Sequence, residues 1–269
     1  MRCAGLFILL VWAGGLPCST RGADYPVGAR SWALARASVM LVDFWCITHN
    51  QGGLGWLERP VVGFTHQSGY IPETDHQILG VALPCFAGCI GGSLSLYGYE
   101  HYQQYKAAIA YGRYLSPKLA GGIQIDYYHT RISGVYGQDH RVTFEAGLLL
   151  RANDQLVLGA HLFNPVSQTW GRYQEPLPVI IRLGAGIHFS RPLQLLVEVE
   201  KQPGQVAIPK MGFEYAFSRF FFLRTGVSLN PTLHCFGIGY HTRHLQADMA
   251  YAFHPVLGGM PHLSMAYAF

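Results

Sequence analysis

Eight charged residues are spaced so that they could act together on a bound molecule: Asp126, Glu145, Arg182, Glu198, Glu200, Glu214, Arg224 and Asp248. Paired carboxylates can divide acid and base roles in a hydrolase. A row of both signs can line a polar conduit or a binding site. It can also fill a narrow interior as a network of ion pairs, and this last reading is favoured, because buried charges need partners and the set supplies both signs. Catalysis is disfavoured, since no Ser–His strand motif accompanies the carboxylates. The 13 histidines are scattered; His161, His188, His241 and His262 take inward positions but form no His-x-x-x-His helix. No metal site and no cofactor is expected. GAG and GIG are strand glycines, not phosphate loops.

The elements that carry these charges follow a period of two. In LQADMAYAF, Leu245, Ala247, Met249, Tyr251 and Phe253 alternate with Gln246, Asp248, Ala250 and Ala252. Met211, Phe213, Tyr215 and Phe217 alternate with Gly212, Glu214 and Ala216, and Leu193, Leu195, Val197 and Val199 with Gln194, Leu196, Glu198 and Glu200. One face is bulky and apolar. The other is Gly, Ala and Ser with isolated charges, as the interior of a closed barrel requires when its bulky face meets lipid. Fourteen strands are expected, near 60–71, 76–86, 89–101, 104–115, 118–131, 141–151, 155–164, 179–190, 193–201, 207–218, 220–230, 234–242, 245–253 and 261–269. Short connections (FAG, LSPK, RANDQ, SRP, SR, TRH) interleave with generally longer ones, the pattern of periplasmic turns and outer loops. The fold class is therefore all-β: an antiparallel transmembrane barrel of the bacterial outer membrane. Tyr267 and the terminal Phe269 are its expected assembly signal.

Composition agrees. Charged residues make up 13% of the 269, about half the share usual in soluble domains, while 50% are hydrophobic. No stretch after the first residues is apolar enough for a membrane helix. Residues 1–23 read as a secretory signal peptide, with Arg2, an apolar run from Leu6 to Leu16 and small residues before Asp24. Its removal takes the formal charge from +4 to +2, too slight to suggest nucleic acid. Cys85 and Cys89 flank Phe86-Ala87-Gly88, and two readings stand for them: a disulfide across a three-residue turn, or two small apolar strand residues.

Residues 24–59 do not alternate and are expected to form a plug within the barrel of residues 60–269. A barrel this wide cannot be filled by side chains alone. Trp32, Leu34, Met40, Phe44, Trp45 and Trp56 are too many large groups to leave in water, and Asp43 and Arg36 are expected to meet the inner charges.

The stretch GARSWALARASVMLVDFWCITHNQGGLGWLERPVVGFTH resembles the start of PorV/PorQ-type proteins, themselves similar to FadL-like barrels. Asp43, Phe44 and Trp45 match, Asn50 aligns with the Asn of an Asn-Pro-Ala-Gly-Leu turn, and Gly53 and Leu54 match its end; Gln51-Gly52 departs from the Pro-Ala. RLGAGIHFS, VEVEK, GFEYAF, LRTGVSL, GIGY and ADMAYAF follow in the family's order. The resemblance implies a non-enzymatic barrel serving a type IX-like secretion assembly, partnered by outer-membrane lipid and a larger translocon or other membrane protein. The alternative is a FadL-like channel for hydrophobic small molecules.

Overall fold

A computed structural model describes residues 26–69, 74–133, 137–166 and 177–269; the expected signal peptide lies outside them. Fourteen strands close into one barrel in sequence order, each antiparallel to its neighbours, with β1 sealing against β14. They are β1 (Val61–Gln67), β2 (Asp75–Cys85), β3 (Gly88–Tyr99), β4 (Tyr102–Ser116), β5 (Leu119–Ile132), β6 (Gly137–Arg151), β7 (Leu156–Phe163), β8 (Ile180–Ser190), β9 (Leu193–Lys201), β10 (Ile208–Ala216), β11 (Phe221–Ser228), β12 (Leu233–His241), β13 (Leu245–His254) and β14 (Gly258–Ala268). Closure pairs every edge, which a sheet in lipid requires because no water is present to satisfy free N–H and C=O groups.

The alternation decides which face meets what. On β13 the burial pattern switches at each residue from Asp248 to Phe253, with Met249 and Tyr251 half exposed and Asp248, Ala250 and Ala252 buried. Leu223 and Val197 point outward in the same way. This continuous apolar outer surface on a closed barrel is that of an outer-membrane protein. Placing a charge there is costly. Leu223→Arg is expected to destabilise the barrel by about 2–4 kcal/mol if the position lies at the bilayer midplane. Val256→Arg, in the exposed turn after β13, should fold like the parent. Heat-modifiable mobility on gels reads both; equal tolerance would mean that the strand register is wrong.

Two sequence expectations need correction. The β2–β3 turn contains two residues, Phe86 and Ala87, not three, and its register sets Cys89 opposite Pro84 and Cys85 opposite Gly88. Cys89 therefore faces the interior and Cys85 follows the outward phase of β2, so a disulfide is precluded and both thiols are free. Strand β6 begins at Gly137, four residues before the expected 141. Its first turn of the ladder, Gln138 to Arg141, is polar on both faces, so no hydrophobic period marks it.

The front segment lies inside the barrel. It contains two short helices, α1 (Ala29–Ala33) and α2 (Cys46–His49), and a 3-10 turn at Gln51–Trp56. Between residues 26 and 56 all but Arg30, Val42, Thr48 and Gly55 are buried. Its apolar groups join the inner wall in three clusters. Phe44, Trp45, Cys46, Ile47 and Leu54 pack with Ile78, Ala82 and Cys89; Trp32 and Ala33 with Cys235, Ala252 and Met260; and Leu34, Val39 and Met40 with Leu149 and Leu196. The helices are too short to persist alone, so the barrel wall holds them. Inner-face glycines make the close approach possible. A Cβ at Gly159 would stand 2.3 Å from the carbonyl oxygen of Val39, and one at Gly122 2.3 Å from that of Gln51.

Candidate functional site: the charged lumen around the front segment

Antiparallel register places inner residues of neighbouring strands side by side: Gln124 opposite Glu145, His161 opposite Arg182, Arg182 opposite Glu200, Glu198 opposite Lys210 and Glu214 opposite Arg224. Unlike charges so placed pair across the ladder. The result is a belt crossing seven consecutive strands. Lys106 Nζ on β4 donates to Glu145 at 2.8 Å and lies 3.3 Å from Asp126. Glu145 Oε2 contacts His161 Nε2 at 3.0 Å, and His161 Nδ1 lies 3.4 Å from the guanidinium of Arg182. Arg182 Nε donates to Glu200 at 3.1 Å, and Lys210 bridges Glu200 and Glu198 at 2.7 and 2.8 Å. A second cluster runs from the front segment to β13. Arg30 donates to Asp43 at 3.1 Å and to both oxygens of Glu214 at 2.8 and 2.7 Å. Arg224 joins Glu214 to Asp248, which also meets His241 at 2.9 Å.

All eight charges singled out in the sequence stand in these two clusters. Sequence reasoning missed the partners. Lys210 continues the inner phase of Gly212 and Glu214 and could have been found by extending that alternation two residues back. Lys106 shares the parity of its strand's small inner residues, while His161 was read as inward but given no partner. Arg30 had no such signal, because the segment around it has no period. The expected contact through Arg36 is different in kind: its guanidinium lies over the Trp32 ring, 5.1 Å from the centroid, and its carbonyl accepts from Lys210.

The front segment is anchored by backbone and side-chain hydrogen bonds. Both Ser38 and Val39 N–H groups donate to Glu198 Oε2 at 2.8 Å. Asn50 Nδ2 donates to the carbonyls of Val39 at 2.6 Å, Leu148 at 3.0 Å and Ala160 at 3.3 Å, while its Oδ1 accepts from Gly52 N–H. Gln51 Nε2 donates to Glu145 at 2.7 Å. Trp32 Nε1 donates to Gln67 at 3.0 Å and its ring stacks on His262 at 4.1 Å. Asp43 accepts from the N–H of Trp45, whose ring meets Phe44 edge-on. Gly53 lies against the side chain of Cys46, and Leu54 lies beside Gly91. At the C-terminus Tyr267 and Phe269 pack edge to face at 5.1 Å, and Phe269 N–H donates to Pro60.

This arrangement holds the front segment against the wall. Neither cluster contains a Ser, Thr or Cys side chain, and each of its carboxylates accepts hydrogen bonds or faces a cation. Among the described residues no group of three or more His, Cys, Asp or Glu side chains could hold a metal ion. Beyond the belt, towards the outer end, Tyr128, Phe163, Leu177 and Ile180 form a buried apolar cluster, and Lys106 lies over the rings of Tyr128 and Phe163.

One buried titratable group in the segment stays neutral. His49 is fully buried, and neither ring nitrogen has a hydrogen-bond partner. Burial lowers its pKa from 6.5 to about 4; the charges of Asp43 and Glu198 oppose the shift, while His161 and Arg182 add to it. The unfolded chain therefore binds more protons between those values, so stability is full above pH 6.5 and falls as the pH drops towards 4. The loss is on the order of 3 kcal/mol by pH 4. Urea midpoints measured across this range should show it, and His49→Leu should flatten the acid limb. An unchanged limb in that variant would assign the acid loss to other groups.

No family model matches the chain, and no curated protein matches it in sequence. Solved structures do match in shape. The toluene transporter TbuX of Ralstonia pickettii superposes with a TM-score of 0.69 at 11% identity, covering 92% of this chain and 98% of its own. The monoaromatic hydrocarbon channel CymD gives 0.71 at 11% identity, with 92% and 98% covered. A FadL homologue of Pseudomonas aeruginosa gives 0.67 at 12% identity, with 91% and 99% covered. The chain thus has the FadL-like outer-membrane barrel fold.

Proposed function

We propose that the protein is a channel for hydrophobic small molecules, closed by its own front segment. The carrying observation is that segment, buried inside a barrel of the same fold as channels and transporters named for toluene and monoaromatic hydrocarbons. The buried cluster of Tyr128, Phe163, Leu177 and Ile180 gives the barrel interior apolar side chains beyond the charged belt, the chemistry that an apolar solute favours over water. The comparisons support this reading better than a role in a type IX-like secretion assembly, and its neighbours are transporters or channels rather than enzymes. The test is uptake by intact cells whose outer membrane lacks such channels, since its sugar-rich outer leaflet resists hydrophobic solutes. Expression of the protein should accelerate entry of a radiolabelled monoaromatic hydrocarbon severalfold. Unchanged entry with the barrel folded in the membrane would refute the channel. Co-purification with a large membrane assembly, in that event, would favour the secretion role.

A further inference from the structure

The charges outside the lumen are not shared evenly between the two ends of the barrel. The short-turn end, where the strands begin and finish, carries Arg59 before β1, Lys118 between β4 and β5, and Arg151 at the end of β6. Arg191, Arg219 and Arg243 occupy the next three short turns. Arg113 faces outward near the end of β4. Against these stand only Glu58 and Asp154 among the described residues of that end. Among the described residues the opposite end balances: Arg131, Arg141 and Lys201 stand with Asp75, Glu100 and Asp139, and Arg141 is paired with Asp139 at 2.6 Å.

None of the short-turn bases makes an ion pair among the described residues. Three of the turn bases are ring-stacked or carbonyl-bound instead. Arg151 lies 4.2 Å from the ring centre of Trp56 and Arg219 4.4 Å from that of Phe220, while Lys118 reaches the carbonyl of Ala152 at 3.5 Å. Exposed aromatics surround them: Tyr114, Phe189, Phe217, Phe221 and Phe269 stand on the outer surface at the same end. Aromatic girdles mark the level where acyl chains give way to headgroups. The bases are therefore at headgroup height, spaced around the circumference at alternate strand boundaries. Only the β2–β3 turn, Phe86-Ala87, lacks one.

We propose that this ring binds the anionic headgroups of phospholipids in the periplasmic leaflet. Its shape argues for lipid over a protein partner: a protein docks on one patch, whereas lipid meets the whole perimeter. Its chemistry agrees, because guanidinium groups pair with phosphate by two parallel hydrogen bonds. Short turns identify this end as periplasmic. The ring also fixes the barrel's height, since each base pulled into the acyl layer would lose its headgroup partner.

The experiment uses the full-length barrel in nanodiscs of mixed phosphatidylcholine and phosphatidylglycerol, with the lipids that remain bound after detergent extraction counted by native mass spectrometry. The wild type should retain phosphatidylglycerol about two- to fivefold above its bulk share, falling as salt rises. The combined variant Lys118→Gln, Arg191→Gln, Arg219→Gln and Arg243→Gln changes only exposed turn residues. It should stay heat-modifiable, as the folded barrel is, and lose the enrichment. Equal enrichment in variant and wild type would overturn the proposal. So would a wild type with no lipid preference that instead sediments with peptidoglycan in a salt-sensitive way, which would assign the bases to the cell wall.

Discussion

Glu145→Ala should lower the stability of the barrel by about 3–5 kcal/mol, the cost typical of breaking a buried ion pair from one side. Glu145 has three partners in the belt and the front segment. It accepts from Lys106 at 2.8 Å, from Gln51 of the front segment at 2.7 Å, and meets His161 at 3.0 Å. Removal takes from Lys106 its shorter ion pair, Asp126 standing at 3.3 Å, and leaves His161 without its carboxylate beside the cationic Arg182. The side chain is almost wholly buried, so water cannot replace what is lost. Glu145→Gln keeps an acceptor oxygen for Lys106 and should cost clearly less. Urea unfolding in a fixed detergent, with the slope unchanged, measures both. A Glu145→Ala midpoint indistinguishable from the parent would mean that the belt fills space without contributing to stability.

That belt also marks the limit of what the sequence could say. Strand existence and facing were legible because lipid and lumen demand opposite chemistry: Leu223 and Met249 on one side, Arg224 and Asp248 on the other. The charges on the inner face were legible for the same reason. Their pairings were not, since these depend on register between strands, and register is set by turn lengths that the sequence left uncertain by a residue or two. Cys85 and Cys89 show the consequence. One residue fewer in the turn moves the two thiols from a facing pair to opposite faces of the sheet. The front segment posed a harder problem. Its apolar content marked it for burial, but with no period it gave no face to Arg30, whose bridge between Asp43 and Glu214 appears only when the wall is closed around it.

Gly122→Val with Gly159→Val should turn the closed barrel into an open one. Both glycines face inward, and each is met by the backbone of the front segment rather than by a flexible side chain: a Cβ would lie 2.3 Å from Gln51 O at one and 2.3 Å from Val39 O at the other. Backbone held by Glu198 and Asn50 cannot withdraw by the ångström or more required without breaking those bonds. The strands themselves should accept valine, which favours extended backbone and pairs normally in the ladder. The strain therefore falls on the segment, which is expected to leave its seat while the fourteen strands stay paired. In planar bilayers the parent should conduct poorly and the double variant through a steady pore, with the released segment open to protease. Gly92→Val is the matched control: its added Cβ meets only Val81 Cγ1 at 3.5 Å and Ala108 O at 3.9 Å, so conductance should stay low. Deleting residues 31–56 outright is the less clean experiment, since it also strips Glu198 and Glu145 of donors and can prevent folding. A parent that already shows a large steady pore, or a folded double variant as closed as the parent, would remove the front segment from any role in closing the lumen.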